Sequence, residues 1–286
     1  MKKSLLFLFG IAANVMFAQN KFPQDAFIKP LKIPTVFAGT FGELRSNHFH
    51  SGLDIKTQHR TGLEVVASAS GYVSRIKVSH YGYGKALYIT HPNGYTTVYG
   101  HLSKYGPAIE AYVKQKQYEA ENYEVELFPN PDELVVTQGD LVAYSGNTGG
   151  SGGPHLHFEI RDKNERPMNA QLFGIQAPDH KDPILKDLVV YILSDSSHVN
   201  QSQKRQELRF TKQPDGTFLA EKIRAYGQIG FALGTIDQQD GANNSNGIYS
   251  IETSFNGEKY LELKMDQFSF AETRYLNRMI DYELYE

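Results

Sequence analysis

The sequence contains no cysteine among its 286 residues. Disulfide bonds and thiolate metal ligands are therefore excluded, so any bound metal must be held by nitrogen and oxygen atoms. The chain also has little excess charge of one sign, since its formal net charge is −3. That balance provides no long-range attraction for nucleic acid or for anionic lipid. We therefore expect no nucleic-acid partner.

Long apolar runs are scarce, and the one at the N-terminus extends only from Leu5 to Phe17. It is too short to span a bilayer. Lys2 and Lys3 precede it, and the small residue Ala18 follows it. This order is typical of a secretory signal peptide that is removed at its small-residue site. We predict a signal peptide at residues 1–18, no transmembrane anchor in the mature chain, and a periplasmic or extracellular location.

Residues 19–176 show the pattern of a mostly β domain. Short segments of alternating apolar and polar residues are separated by Gly, Pro and Asn turns, which is typical of antiparallel strands. One stretch differs, since no Gly or further Pro occurs between Pro107 and Phe128. Ile109, Tyr112 and Val113 have helical spacing there. We predict a helical insertion at about 107–128 in an antiparallel β-sheet domain.

Two short motifs carry candidate metal ligands. His50-Ser51-Gly52-Leu53-Asp54 places an imidazole and a carboxylate four residues apart beside a glycine. His155-Leu156-His157 places two imidazoles two residues apart in an apolar, strand-like run. Imidazole and carboxylate are ligands of catalytic zinc sites that keep one position open for water.

The alternation within residues 155–161 predicts which side chains face a groove. Successive side chains of a strand point to opposite faces. Leu156, Phe158 and Ile160 are therefore expected to face the core. The other face then presents His155 and His157 to a groove. Glu159 and Arg161 follow on the same face, and we interpret them as solvated.

His101 has a similar predicted setting. It follows Tyr95, Thr97 and Tyr99 at a spacing of two residues, while Val98 and Leu102 take the other side. Residues at this spacing share one face of a strand. We therefore expect His101 on an exposed face bordered by tyrosines.

The order of these motifs along the chain resembles that of the lysostaphin-like, LytM-type zinc endopeptidases. The resemblance also includes Tyr99-Gly100-His101-Leu102, Ser145-Gly146-Asn147-Thr148-Gly149 and the run from Pro154 to Glu159. The resemblance covers roughly residues 38–170. It implies an antiparallel β-sheet groove and peptidoglycan peptides as substrate. It also implies one zinc ion per chain, held by His50, Asp54 and His157, with His101 and His155 as catalytic residues.

Two further residues are candidates for contacting a metal ligand or the substrate. His48 lies two residues before His50, but only His50 has the four-residue spacing to Asp54 with the intervening glycine. Tyr99 lies two residues before His101. The stretch between His101 and His155 is longer than is usual in the family, and its helix either narrows the groove or shields a sheet edge. Both alternatives stay open.

The character of the chain changes after about residue 176. A linker-like stretch from Ala177 to Pro183 precedes strand candidates that continue to Lys264, at a spacing typical of an immunoglobulin-like β-sandwich. We predict such a domain at 177–286, incomplete at its C-terminus and with a protein or glycan as its partner. The segment Asp237–Asn246 is rich in Asp and Asn. A polar loop is favoured over a Ca²⁺ site there.

The residues lead to two functional hypotheses. The first is a secreted zinc endopeptidase that cleaves cross-links or stem peptides of peptidoglycan with an activated water. The alternative is a catalytically silent cell-wall-binding or regulatory protein that uses the same groove. All five ligand and catalytic positions hold competent residues, so we predict the enzyme. The sequence contains no His-Glu-x-x-His motif that would supply a carboxylate base. We therefore expect His101 and His155 to transfer the proton of the attacking water.

Overall fold

The computed structural model of the protein describes residues 22–278 and 280–285. The predicted signal peptide at residues 1–18 lies outside the described residues. Within the described part of the chain, no helix combines the length and the apolar character needed to cross a membrane.

The first part of the chain is built from short strands and one α-helix. The opening strands are β1 Phe37–Gly39, β2 Leu44–Arg45, β3 His48–Phe49, β4 Leu53–Lys56, β5 Glu64–Val66, β6 Gly71–Val78, β7 Lys85–Thr90 and β8 Thr96–Leu102. They are followed by β9 Lys104–Tyr105, α1 Pro107–Glu119, β10 Val125–Leu127, β11 Val135–Val136, β12 Leu141–Tyr144, β13 His155–Arg161 and β14 Pro167–Met168. A 3₁₀ helix at Ala170–Phe173 ends this part.

Most of these strands form one antiparallel sheet. Its order is β1-β4-β13-β8-β7-β6-β10, with β11 paired to β6 and β14 paired to β13. A small sheet in the order β5-β12-β9 packs with it around a common apolar core. The predicted mostly β, antiparallel fold class is confirmed. The order places β4, β13 and β8 side by side, and these strands carry or adjoin the candidate site residues.

The predicted helix is present and begins at Pro107, where the missing N–H of proline costs no intrahelical hydrogen bond. Its buried residues are Ile109 and Val113, which join the main core. After the helix, β10 pairs with β6 at the sheet edge away from β4 and β13. This pairing supports the edge-shielding alternative for the later part of the predicted insertion.

The rest of the chain forms smaller sheets and hairpins. Its strands are β15 Ile184–Ile192, β16 His198–Val199, β17 Gln206–Glu207, β18 Phe210–Lys212, β19 Phe218–Ala220, β20 Ala225–Tyr226, β21 Ile229–Ile236, β22 Ser250–Phe255 and β23 Glu258–Lys264. A 3₁₀ helix at Thr273–Arg278 and helix α2 at Tyr282–Tyr285 follow them. The order β17-β15-β21 forms the largest of these sheets. The complete immunoglobulin-like sandwich stays a prediction.

The C-terminal residues also return to the first part of the chain. Met265 and Phe268 pack against the main core, and Leu276 is buried. The side chain of Gln239 hydrogen-bonds both the backbone N–H and the carbonyl of Phe37. The Asp- and Asn-rich segment that contains Gln239 therefore contributes to packing. The boundary between residues 176 and 177 stays a prediction.

Candidate metal centre

Three side chains meet where β4 and β13 pair. Asp54 is the register partner of His157, and His50 lies in the loop before β4. His50 Nε2 lies 3.1 Å from Asp54 Oδ1 and 3.2 Å from His157 Nδ1, and the latter two atoms are 3.0 Å apart. Zinc–ligand bonds of about 2.0–2.1 Å in a tetrahedron require ligand separations of about 3.3 Å. The three residues are therefore spaced to hold one metal ion.

The orientation of both imidazoles suits a metal. His50 Nδ1 is 2.8 Å from the Thr40 carbonyl, which only accepts, so Nδ1 carries the proton and Nε2 keeps its lone pair. His157 Nε2 lies 2.8 Å from Glu159 Oε1 and donates to it, so Nδ1, which faces Asp54, is the nitrogen that can offer a lone pair to a metal when it gives up its proton. Two such lone pairs and a carboxylate oxygen are a donor set that fits zinc.

Gly52 explains why the first motif needs a glycine. A Cβ at this position would lie 2.4 Å from the Phe158 carbonyl oxygen, far closer than van der Waals contact. The backbone between His50 and Asp54 therefore passes directly over β13. This close approach brings His50 within reach of His157.

The close contacts among these side chains shift their pKa values in opposite directions. Burial alone would raise the pKa of Asp54, but its close contacts with the imidazoles of His155, His157 and His50 hold that pKa well below its usual value. Burial alone would lower the pKa of His157, but Asp54 and Glu159 raise it to about 9. A proton on His157 therefore competes with a metal ion near neutral pH.

Glu159 and Arg161 are not a solvated face, so that interpretation is wrong. Both are buried, and Glu159 is 0% exposed. Glu159 accepts hydrogen bonds from His157, from Ser51 at 2.8 Å, from Tyr83, and from Arg161 Nε at 2.6 Å. The alternation gave the correct face, but that face is covered by distant segments. The carboxylate fixes the ring of a candidate metal ligand.

Tyr83 is a site residue that the sequence did not reveal. Its ring stacks on His157 with centroids 4.7 Å apart, and its hydroxyl contacts Ser51 at 2.8 Å. Burial, followed by the Glu159 charge, raises the pKa of Tyr83 well above its usual value. Tyr83 therefore stays a neutral donor to Glu159 and covers one face of the His157 ring.

Replacing Glu159 by glutamine tests this network. The amide keeps the shape but presents an N–H₂ group to donors, and it leaves the Arg161 guanidinium buried without its charged partner. We expect a loss of about 3–5 kcal/mol in the free energy of unfolding, the usual cost of breaking a buried pair. We also expect zinc affinity to fall about 10–100-fold. Thermal unfolding and chelator competition measure the two effects.

Glu165→Gln is the matched control. Glu165 contacts the same arginine at 3.3 Å, but its side chain is 59% exposed. Exposed pairs contribute little, so this variant should retain wild-type stability and zinc affinity. Equal effects of Glu159→Gln and Glu165→Gln would contradict the special role of the buried carboxylate.

His101 and His155 lie beside the three candidate ligands. Their ring centroids are 4.7 Å apart, and His155 Nε2 is 3.4 Å from Asp54 Oδ1. His155 Nδ1 donates to the Gly153 carbonyl and His101 Nδ1 donates to the Thr148 carbonyl, each at 2.8 Å. Both rings therefore keep an Nε2 lone pair. Burial lowers the pKa of His101 to about 4, so this imidazole is neutral at pH 7.

The expected exposed face around His101 is wrong, and so is the assignment of Tyr99 to the site. Tyr99 is fully buried, packs edge-on against Phe158, and its hydroxyl accepts from the Ser68 N–H. Strand β8 has one extra residue opposite β7 between Tyr99 and Leu102, and His101 has φ = 57°. This bulge re-aims His101 toward the metal centre, as bulges near active sites do.

His48 lies outside the candidate ligand set. It is exposed on the β2–β3 hairpin, and its Nδ1 contacts the Ser46 carbonyl at 2.9 Å. The structure therefore gives no contact between His48 and a candidate ligand, and its contact with substrate stays a prediction. On the same hairpin, Arg45 Nη2 lies 3.1 Å from Asp54 Oδ2. Arg45 thus holds the carboxylate oxygen that faces away from the two ligand imidazoles.

Comparison with known proteins shows a family similarity over the part of the chain that holds this site. The sequence model of Peptidase family M23 matches residues 48–121 and 132–170, which include all five predicted ligand and catalytic positions. The residues between the two matched parts are 122–131, so helix α1 lies within the matched region.

Two of the curated relatives are named as DD-peptidases. The chain is 32% identical over 136 residues to the DD-carboxypeptidase/endopeptidase Mpg of Neisseria meningitidis, covering 48% of this chain and 25% of that protein. It is 32% identical over 126 residues to the Peptidoglycan DD-endopeptidase ShyA of Vibrio cholerae. That alignment covers 44% of this chain and 23% of the relative. The chain thus spans about a quarter of the length of these relatives.

Solved structures with some similarity include the catalytic domain of the M23 protein EnpA from Enterococcus faecalis. It is 25% identical, with a TM-score of 0.39, covering 52% of this chain and 98% of that one. A zinc-containing peptidase from Vibrio cholerae is 26% identical, with a TM-score of 0.39, covering 54% and 41%. Members of family M23 are zinc metallopeptidases, and the His-Asp-His set of this chain fits that metal. Residues 48–121 and 132–170 thus match the model of Peptidase family M23, in agreement with the resemblance to LytM-type endopeptidases.

Proposed function

We propose that this protein is a zinc-dependent endopeptidase that acts outside the cytoplasm on the peptide cross-links or stem peptides of bacterial peptidoglycan. The observation that carries the proposal is the convergence of His50, Asp54 and His157 on one position, with two further imidazoles beside it. The names of the relatives, DD-carboxypeptidase/endopeptidase and Peptidoglycan DD-endopeptidase, support the substrate class.

His50, Asp54 and His157 would hold the zinc ion. When bound, zinc supplies a Lewis acid that polarises a carbonyl group and acidifies a water molecule toward neutral pKa. Glu159 and the Thr40 carbonyl hold the two ligand imidazoles in the required tautomers.

His101 and His155 would handle the proton. Each donates its Nδ1–H to a backbone carbonyl, so Nε2 is the basic atom. In this proposal one imidazole takes a proton from the attacking water as the new C–O bond forms. The same proton then passes to the leaving amine nitrogen as the peptide bond breaks. The second imidazole would take up a proton from solvent at Nε2 and donate a hydrogen bond to the carbonyl oxygen, where negative charge develops.

Digestion of purified peptidoglycan tests the proposal. Zinc-loaded protein should convert cross-linked peptides into monomers with new amino termini, and mass spectrometry identifies those termini. Release of single terminal residues without loss of cross-links would instead identify a carboxypeptidase. Protein treated with a chelator is the control, and added zinc should restore cleavage. Binding to peptidoglycan without any cleavage would favour the catalytically silent alternative.

A further inference from the structure

We propose that residues 237–247 and 265–277, called here the C-terminal brace, position the zinc ligands His50 and His157. The inference rests on the proposed metal centre. It assigns a role in the site to the C-terminal part of the chain, which the sequence presented as a separate binding module. The brace reaches the two ligands by different routes.

The first route runs through the strand and turn before His50. Gln239 is 3% exposed, and its side-chain amide makes two hydrogen bonds to the Phe37 backbone. Its Oε1 accepts from the Phe37 N–H at 3.2 Å, and its Nε2 donates to the Phe37 carbonyl at 2.7 Å. The Gly247 N–H donates to Thr40 Oγ1 at 3.2 Å. Thr40 is the residue whose carbonyl accepts the His50 Nδ1 proton. The brace therefore fixes the acceptor that orients a ligand ring.

The brace also packs along the turn itself. Phe268 stacks on Phe41 with centroids 5.1 Å apart and lies 5.7 Å from the Phe49 ring. The Phe49 N–H, immediately before His50, donates to Thr273 Oγ1 at 2.8 Å. A Cβ on Gly42 would lie 2.7 Å from the Met265 side chain, so the two surfaces are in close contact. The segment that ends in His50 is held at both its beginning and its end.

The second route runs through the buried ion pair. The Arg161 guanidinium carbon lies over the ring of Phe270, 4.8 Å from the ring centroid. Arg161 Nε donates to Glu159, and Glu159 accepts the His157 Nε2 proton. A cation over an aromatic ring is held in place more firmly than one in water. Phe270 therefore supports the arginine that neutralises the carboxylate behind His157.

Through these contacts the metal centre depends on residues far downstream, which lie 202 to 224 positions after the hydrogen-bond partners that they hold before His50. A turn released from its brace would still carry His50, but the ring would sample several orientations. Metal sites lose about 10–100-fold in affinity when the groups that orient their ligands are removed. Core stability and ligand positioning can be separated in a variant that stays folded, because zinc affinity then reports how well the ligands are positioned and Tm reports core stability.

The test uses the full chain with Gln239→Ala and Phe268→Leu. The first removes two hydrogen bonds, and the second keeps an apolar side chain so that the protein folds. We expect zinc affinity, measured by chelator competition, to fall about tenfold or more in each. The visible spectrum of the Co²⁺-substituted protein should shift, and amide hydrogen exchange over residues 40–50 should quicken. Phe255→Ala and Tyr260→Ala are matched controls, since these side chains on the β22–β23 hairpin are 73% and 84% exposed.

Unchanged zinc affinity and Co²⁺ spectra in both brace variants, with only a lower Tm, would overturn the inference and leave a packing role. Unchanged hydrogen exchange over residues 40–50 would overturn it independently of any metal. Failure of the wild-type chain to bind zinc is a different result, because it would refute the proposed metal centre.

Discussion

Replacing His157 or Asp54 by alanine is expected to reduce bound zinc from about one ion per chain to a small fraction of that value. Each change removes one of three ligands from a site whose remaining two are too few for tight binding. Turnover should fall by about 10³-fold or more, because several kcal/mol of charge stabilisation are lost. Elemental analysis of the purified protein and peptidoglycan digestion measure the two effects.

Two further variants make this result specific. Asp54→Asn keeps the shape of the side chain and should also bind zinc weakly, which separates loss of charge from loss of packing. His59→Asn is the control, since His59 is exposed and has φ = 59°, a backbone conformation that asparagine tolerates. His59→Asn should retain zinc and activity. A full equivalent of zinc in folded His157→Ala would show that another residue is the ligand.

Period-two alternation was enough to predict the core of the candidate site. It predicted strand β13 at its observed bounds, and it put His157 and Glu159 on the face opposite Leu156 and Phe158. Helix α1 was predicted because Pro107 favours a helix start and the following residues have helical spacing. These features depend on local sequence, so they can be predicted without the tertiary structure.

The environment of that face could not be predicted in the same way. Glu159 was expected in water because most charged residues are exposed. It is buried because Tyr83, Ser51 and Arg161 supply its donors, and the first two come from segments far away in sequence. A pattern within one strand contains no information about what covers it.

The prediction that Tyr99 borders the site is wrong for a different reason. The period-two pattern treats β8 as a regular strand through His101, but the bulge adds one residue and His101 has a positive φ. After such a shift the period-two rule gives the opposite face.

The C-terminal contacts were also missed, because a linker-like composition at 177–183 predicts a break in the chain but not the later return of Phe268 and Thr273 to the site.

Alanine at His155 and asparagine at His101 are expected to separate proton transfer from zinc binding. Asparagine is used at position 101 because it tolerates the left-handed backbone there, so the change tests the imidazole and not backbone strain. Both variants should keep about one zinc per chain, since neither residue is among the three ligands with matched spacing. Turnover should fall about 10²–10⁴-fold, the usual range for a general acid or base.

The position of His155 makes its variant the more informative of the two. Its Nε2 is 3.4 Å from Asp54 Oδ1, whereas the His157 Nδ1 is 3.0 Å from the same oxygen. Loss of zinc from folded His155→Ala, with retention in His157→Ala, would mean that the two histidines have exchanged roles. With the proposed roles, imidazole added to the solution should partly restore turnover to His155→Ala, because a free base can replace a proton carrier. The same addition should not restore His157→Ala, whose missing group must hold the metal in place.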